Sequence, residues 1–482
     1  MHTYLLSDAP HEGLILLFSG WGTGFGPFLN LRKEGYDILL IEDYRDFSPE
    51  RLESEILKQG REWQEVIVVA WSFGVRAATD FLQQTGLNVT LRLAINGTPQ
   101  HIDGLRGIPP SIFQGTLRGL DSRNLRKFLL RTAGSKEMFE QQLSRAALSE
   151  EKVTDLRDEL EYFGNWPVSS ADSQLLWDRA LVSENDRIFP PENQLKAWDA
   201  TDVHILKGAA HLPDFQHIIT EYIVRKDRVA TKFGTTRESY TENASAQKQT
   251  ALQLFSLLKQ STDYQQLHTG LNILEIGQGD GTFTRLFFPW LQPKTAGLIL
   301  ADISEIAYKP SAEESEGTEI QTYTGDVETS AFEHKVLTAD KFDFILSASA
   351  LQWLNSPAML LKKCAAALKP GGILAVAFYG EGTLREQTDA GGTGLKYPSA
   401  KRLQAVAEQS GLQTLCSDSQ EIVLRFKTPL EALRHLNLTG VNALPSDSAA
   451  SRTRSLLRNW PLDERGEATL TFAPRYLLFR KP

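Results

Sequence analysis

The sequence predicts an α/β protein of two domains, each built on an open and mostly parallel sheet. Three observations carry that reading. The chain has 482 residues, too many for one ordinary hydrophobic core. Apolar runs of strand length end in glycine-rich turns at two distant places. Residues 14–18 and 66–70 run into Ser19-Gly20-Trp21-Gly22 and Trp71-Ser72-Phe73-Gly74, and residues 273–276 run into Gly277-Gln278-Gly279-Asp280-Gly281. Such a strand is buried on both faces, and its carboxyl end borders a ligand crevice. A polar, charged stretch over about 225–241 separates the two series, so the expected domains are 1–224 and 225–482.

Composition narrows the function classes. The net charge of −9 lacks the basic excess of a general nucleic-acid binder. No apolar run approaches a membrane span, and the first residues lack the basic-then-apolar pattern of a leader, so no membrane partner is expected. Cys364 and Cys416 are far apart and without ligand spacing. Neither a disulfide framework nor a metal site is therefore expected, and a reducing cytoplasm is the expected location.

In the first half, Ala70-Trp71-Ser72-Phe73-Gly74 departs from the nucleophile elbow G-x-S-x-G only in its first residue. Small flanking residues are needed because the strand and the next helix, expected over 75–82, pass close together. That helix would also bring its N-terminal N–H groups beside Ser72. From about 102 to 175 strand signals give way to helical periodicity, expected as a lid. A strand over 180–182 precedes Asp186, and one over 203–206 precedes Gly208-Ala209-Ala210-His211. The order Ser72, Asp186, His211 is that of an α/β-hydrolase fold. Glu184 and Asp202 remain open as the acid, and His204 and His217 are the competing histidines. In the expected chemistry a neutral His211 takes the Ser72 proton and the carboxylate fixes the imidazole tautomer. The main-chain N–H groups of Trp21 and Phe73 form the oxyanion hole.

The second half opens on Glu275-Ile276-Gly277-Gln278-Gly279-Asp280-Gly281, read E-x-G-x-G-x-G. A dinucleotide fingerprint would need glycine at 282, where Thr282 stands. The strand over 298–300 ends at Asp302, about 21 residues past Gly281, where an acid can bind both ribose hydroxyls. Asp326 follows Gly325 on the adenine side, a fourth strand ends at Ser347, and Lys369-Pro370-Gly371-Gly372 marks the turn before a fifth. In that order these features predict a Rossmann-like class I methyltransferase fold using S-adenosyl-L-methionine. Glu275, Gly277, Gly279, Gly281, Asp302, Asp326 and Ser347 are its candidate cofactor-binding residues. No Cys, His or Lys cluster reads as a base, which suits a carboxylate substrate already ionised at neutral pH. Tyr240, Gln352 and Trp353 are the candidate substrate-pocket residues. Arg385, Lys396 or Arg434 is the expected cation for the substrate carboxylate.

Two resemblances sharpen these expectations. Ser19-Gly20-Trp21-Gly22, Tyr44-Arg45-Asp46-Phe47, Ala70-Trp71-Ser72-Phe73-Gly74, Ile95-Asn96-Gly97-Thr98-Pro99 and Arg187-Ile188-Phe189-Pro190-Pro191 resemble the BioG-type pimeloyl-[acyl-carrier-protein] methyl ester esterase, over roughly 1–222. The resemblance implies hydrolysis of a methyl ester on a carrier-bound acyl chain. Arg118, Arg123, Arg126, Lys127 and Arg131 set five cations within fourteen residues of the expected lid. They read either as a docking surface for an acidic carrier protein or as a solvated helix face.

Over roughly 228–482, Phe233-Gly234, Ser239-Tyr240, Ser349-Ala350-Leu351-Gln352-Trp353 and the segment 431–444 are similar to the BioC-type malonyl-[acyl-carrier-protein] O-methyltransferase. Gln278 stands where that family commonly has cysteine and Thr241 where aspartate is common, and the region around Lys396-Tyr397-Pro398 is short. These departures bear on substrate contacts. Together the resemblances imply enzymes that add and remove one methyl ester in biotin synthesis, with acyl carrier protein as partner. The rivals are a general carboxylesterase and a small-molecule or quinone-pathway methyltransferase.

Overall fold

Strands that are apolar throughout need cover on both faces, and the central strands of the two seven-stranded sheets of this protein obey that demand. The computed structural model describes residues 1–6, 11–143, 150–305, 308–392, 394–439 and 450–482, with the backbone alone at 171, 236–242 and 450–452. The chain divides into two units, Met1–Thr220 and Glu221–Pro482.

In the first unit the strands are β1 (His2–Leu5), β2 (Gly13–Phe18), β3 (Tyr36–Glu42), β4 (Glu65–Trp71), β5 (Val89–Ile95), β6 (Arg179–Ser183) and β7 (Asp202–Leu206). They form one sheet in the order β1-β3-β2-β4-β5-β6-β7. β1 runs antiparallel to β3, and the other pairings are parallel. Every residue of β2 is buried. From β2 the chain moves to β3 on one side and then crosses back to β4 on the other. Strand order therefore reverses between β2 and β4, and the loops 19–22 and 72–73 leave the sheet at that switch point. The helix Gly74–Gln84 follows directly. Between β5 and β6 the described residues form helices and no strand, chiefly Pro110–Arg118, Ser122–Ala133 and Glu150–Asn165. These helices bury Phe113, Leu125, Phe128, Leu129, Leu160 and Phe163.

The second unit contains β8 (Leu271–Ile276), β9 (Thr295–Asp302), β10 (Glu319–Thr324), β11 (Phe342–Ala348), β12 (Leu368–Tyr379), β13 (Gln413–Ser419), β14 (Ile422–Phe426), β15 (Ala468–Phe472) and β16 (Pro474–Arg480). Its main sheet has the order β10-β9-β8-β11-β12-β16-β13, with β14 and β15 as a separate pair. β16 runs antiparallel between β12 and β13. Side-chain alternation splits the core in two: Leu274, Ile345, Leu374 and Leu477 on one face, Ile273, Phe344, Ile373 and Leu478 on the other.

One sequence expectation needs correcting here. Lys369 to Gly372 belong to β12 itself rather than to a turn before it. Gly371 N–H donates to the Lys481 carbonyl (2.8 Å) and Lys481 N–H to that of Gly372 (3.0 Å), which draws the glycines into the ladder.

Asp343 fastens the base of this sheet. Its carboxylate accepts from Asn272 N–H (2.8 Å) at the start of β8, from Lys369 Nζ (2.7 Å) on β12, and from His268 Nε2 (3.0 Å). We predict that Asp343→Ala destabilises the second unit by about 2–3 kcal/mol, because it leaves these donors without their acceptor. Native-state hydrogen exchange of the β8 and β11 amides checks this; unchanged protection there would contradict it.

Candidate active sites

Where β4 ends, the chain turns at Ser72 with φ of +59°. A serine holds this left-handed conformation only where its surroundings impose it. Backbone proximity does so here. A Cβ on Gly74 would lie 2.5 Å from the carbonyl oxygens of Phe18 and Ser19, and one on Gly97 would lie 2.2 Å from that of Ser72. A Cβ on Gly20 would lie 2.8 Å from that of Ser72, so the 19–22 loop passes directly against the serine. Among the described residues, the main-chain N–H groups of Trp21 and Phe73 have no acceptor.

Ser72 Oγ is 2.9 Å from His211 Nε2, and His211 Nδ1 is 2.9 Å from Asp186 Oδ2. Asp186 is oriented by three further donors. Oδ1 accepts from Ile188 N–H (2.8 Å) and Phe189 N–H (2.9 Å), and Oδ2 accepts from Gln194 Nε2 (3.0 Å). The His211 carbonyl accepts from Trp71 Nε1 (2.8 Å) and Asn96 Nδ2 (2.9 Å), which pins its loop to the ends of β4 and β5. The Phe189 ring stacks on the imidazole at 6.0 Å. All three polar residues are buried.

The alternatives lie elsewhere. Glu184 accepts from Gly208 N–H at an exposed position, and Asp202 is near His204 and Arg179. His217 follows Phe215 at the start of another helix, where its N–H is bonded to Asp214. The structure thus brings Ser72, His211 and Asp186 together and leaves the other candidates apart.

Arg118 ends one inserted helix, and Arg123, Arg126, Lys127 and Arg131 lie on the next, opposite its buried Leu125, Phe128 and Leu129. All five are exposed. Arg126 covers the Phe139 ring at 4.9 Å, and Lys127 Nζ is 3.4 Å from Asn124 Oδ1. Among the described residues none of the five pairs with a carboxylate.

In the second unit a cavity of about 240 Å³ opens at the carboxyl ends of β8, β9, β11 and β12. Gly277 and Gly279 line it with φ of +74° and +56°. A Cβ on Gly277 would lie 2.2 Å from Ala350 Cβ, so the β8 and β11 loops touch there. Asp302 lines the cavity at the end of β9, with Oδ2 accepting from Gly279 N–H (2.9 Å) and Oδ1 from Ser304 (2.9 Å). Asp326, Gln352 and Trp353 also line it, and Phe233 packs edge-on against Trp353 at 5.3 Å. The side chain of Tyr240 lies outside the described residues.

Several expected contacts are absent from this wall. Glu275 is buried behind the loop, where its carboxyl accepts from Thr284 Oγ1 (2.6 Å) and burial pushes it up to about 8. Ser347 donates to the Ile276 carbonyl (2.8 Å) beneath the cavity. Gly281 makes room for the Tyr308 ring, 2.3 Å from where a Cβ would stand. These three support the loop. None of the expected cations reaches the cavity either. Arg385 pairs with Glu421 (2.9 Å), Lys396 lies over the Tyr222 ring (5.4 Å), and Arg434 is exposed.

Sequence reasoning missed Lys226, Gln247, Tyr379 and Tyr397 as lining residues. Lys226 Nζ pairs with Glu328 and donates to the Trp353 carbonyl (3.1 Å), tying its helix to the wall. Among the described residues, the side-chain oxygens of Gln247 and Gln278 are buried without a partner, so the cavity offers polar groups still to be satisfied.

Residues 1–220 match the family described as pimeloyl-ACP methyl esterase BioG, and residues 240–417 match a methyltransferase domain family. Over 481 residues the chain is 31% identical to the malonyl-[acyl-carrier protein] O-methyltransferase of Bacteroides fragilis, covering 97% of this chain and 92% of that protein. It is 29% identical over 264 residues to the protein of the same name from Acinetobacter baylyi, covering 54% of this chain and 98% of that one. Among solved structures, BioG from Haemophilus influenzae is 31% identical, covers 44% of this chain and 94% of its own, and superposes with a TM-score of 0.37. By its likeness to the Bacteroides fragilis protein along nearly the whole of both chains, this chain belongs to the malonyl-[acyl-carrier protein] O-methyltransferase family, with a BioG-type esterase domain over its first 220 residues.

Proposed function

We propose that the protein is a bifunctional enzyme of biotin synthesis in the cytoplasm. Its second unit methylates the free carboxylate of malonyl-[acyl-carrier protein], and its first unit hydrolyses the methyl ester of pimeloyl-[acyl-carrier protein]. The observation that carries the ester reaction is the buried chain Ser72–His211–Asp186, with 2.9 Å at both links.

In this reading Ser72 Oγ attacks the ester carbonyl as His211 Nε2 takes its proton. The free N–H groups of Trp21 and Phe73 receive the developing oxyanion. His211 then returns the proton to the departing methanol, and a water activated by the same imidazole releases the acid. The helices between β5 and β6 act as a lid. Their basic face over Arg123, Lys127 and Arg131 attracts and orients an acidic carrier protein.

The residues lining the second cavity suit S-adenosylmethionine, which supplies an electrophilic methyl group on a sulfonium centre. Asp280, Asp302, Glu305 and Asp326 against Lys226 give that lining a net negative charge, which complements a cationic ligand. Gly277 and Gly279 would admit the ligand close to the backbone, and Asp302 and Asp326 would hold its ribose hydroxyls and its adenine. Phe233, Trp353 and Leu395 exclude water. Transfer to a carboxylate oxygen needs no general base, so alignment and dryness are what this chain contributes. The malonyl carboxylate meets neutral dipoles such as Tyr397 and Gln247 rather than a salt bridge. That arrangement avoids over-stabilising the ground state.

Three outcomes test the proposal. Ser72→Ala is expected to slow ester hydrolysis by about 10⁴-fold or more while leaving methyl transfer intact. Mass spectrometry of malonyl and pimeloyl methyl ester carrier proteins reads both reactions as a change of one methylene. Replacing Arg123, Lys127 and Arg131 together by alanine should raise KM for the carrier-bound ester about tenfold at low salt, with little effect on a free short ester. Equal losses on both substrates would favour a general carboxylesterase. Asp302→Ala should weaken S-adenosylmethionine binding about tenfold or more by calorimetry; unchanged affinity would remove Asp302 from the cofactor site.

A further inference from the structure

The indole of Trp21 and the segment Tyr44-Arg45-Asp46-Phe47 take no part in the ester chemistry as described, yet both converge on the 19–22 loop. The fully buried Tyr44 phenol donates to the Ser19 carbonyl (2.8 Å). Burial pushes its ionisation well above the usual phenol range, so it remains a donor. From the same loop, Trp21 Nε1–H donates to the Leu156 carbonyl (2.9 Å) on the helix Glu150–Asn165. The indole also packs edge-on against Phe128 of the helix Ser122–Ala133, at 5.0 Å. The first of these helices is itself anchored. Arg45 bridges Asp43 (2.6 Å) and Asp155 (2.8 Å), and Asp155 is the residue before Leu156. The second reaches the histidine loop, where Leu212 N–H donates to the Thr132 carbonyl (2.9 Å). A Cβ on Gly134 would lie 2.4 Å from that of Ala210, so the contact is close. The loop of the oxyanion N–H and the loop of the imidazole are therefore both fastened to the inserted helices.

We propose that Trp21 is a positioning residue: the bond from its indole to Leu156 holds the 19–22 loop, and with it the Trp21 main-chain N–H, against Ser72. The inserted helices are then part of the catalytic geometry and not only a cover. This rests on the ester-hydrolysis reading of Ser72. Losing an oxyanion donor outright costs about 10²–10³ in rate, and a displaced donor forfeits part of that.

The test uses the full chain and 4-nitrophenyl acetate, which needs no carrier protein. Trp21→Phe keeps an aromatic ring against Phe128 and removes the N–H together with part of the buried indole volume, so its effect is read against melting temperature as well. Its kcat is expected to fall about tenfold while KM stays within about twofold. Affinity for a trifluoromethyl ketone, whose hemiketal oxyanion occupies the same hole, should fall by the same factor. Asp155→Ala, which loosens the helix from Arg45, should move both quantities in the same direction by less. A purely structural role lowers the melting temperature but leaves kcat per folded enzyme and ketone affinity unchanged, and that result overturns the inference. Ser72→Ala, run in parallel, separates the two levels. If it retains hydrolysis, the reading of the site itself fails. If it is inactive while Trp21→Phe behaves as wild type, only the role of the indole fails.

Discussion

Main chains approach one another at the carboxyl ends of the parallel strands more closely than any side chain permits. Both sites depend on that approach. In the first unit Gly74 lies against the carbonyls of Phe18 and Ser19, and Gly20 lies against Ser72. In the second, Gly277 lies against Ala350. Each contact joins the loops of two neighbouring strands, β2 with β4 and β8 with β11, where strand order reverses. The reversal splays successive crossovers to opposite sides and opens a crevice between them. Glycine lets the crevice walls close down until backbone N–H groups become part of the site. One constraint thus produces an elbow that thrusts a serine forward in one unit and a loop that admits a ligand to the backbone in the other.

What fills each crevice follows from the reaction proposed there. Ester hydrolysis needs a nucleophile made from a weak acid, and the first unit accordingly buries a serine, an imidazole and a carboxylate in one hydrogen-bonded line. The carboxylate is held by three donors besides the imidazole, and the histidine loop by Trp71 and Asn96. Such over-determination keeps the imidazole facing the serine. Methyl transfer to a carboxylate needs no proton removed. The second cavity correspondingly shows acids, phenols, amides and an aromatic wall, with its lining lysine engaged in holding a helix.

The fold and the first site were legible because their signals are local. A run of apolar residues, a turn rich in small residues and then a polar group at the turn describe Ser72 and His211 within a few positions. The order of Ser72, Asp186 and His211 supplied the rest. The second site was legible only in its loop. Its E-x-G-x-G-x-G motif mixes residues of different duties: Gly277 and Gly279 face the cavity, while Glu275 and Gly281 support the turn from behind. A pattern of residue types cannot separate these duties, since both are needed to form the same turn. Gln247, Tyr379 and Tyr397 come from three separate segments and share no spacing, so nothing local announces them. The candidate cations failed for a related reason. Charge in a sequence says nothing about direction, and Arg385 finds a nearer carboxylate at the surface. β16 also escaped, because it is inserted antiparallel at the end of the chain without a glycine turn to mark it.

The proposed pairing imposes one more physical requirement. A methyltransferase and an esterase acting on the same acyl length would together only consume methyl donor, so discrimination must reside in one of the two sites. The methyl-transfer pocket is of little help, because the ester it makes is the species that must survive. The burden therefore falls on the first unit, where Ser72 is 4% exposed and lies beside the aromatic cluster of Phe73, Phe113, Phe163 and Phe189. On the proposed docking of a carrier protein at the basic face of the inserted helices, its ester would meet that cluster on the way to Ser72. An acyl chain entering this cluster is graded by how much of it the rings cover. Apolar rings also favour the longer chain by about 0.8 kcal/mol for each methylene buried. Burial against these rings is therefore a physical means by which the first unit can prefer the longer chain and spare the ester that the second unit makes.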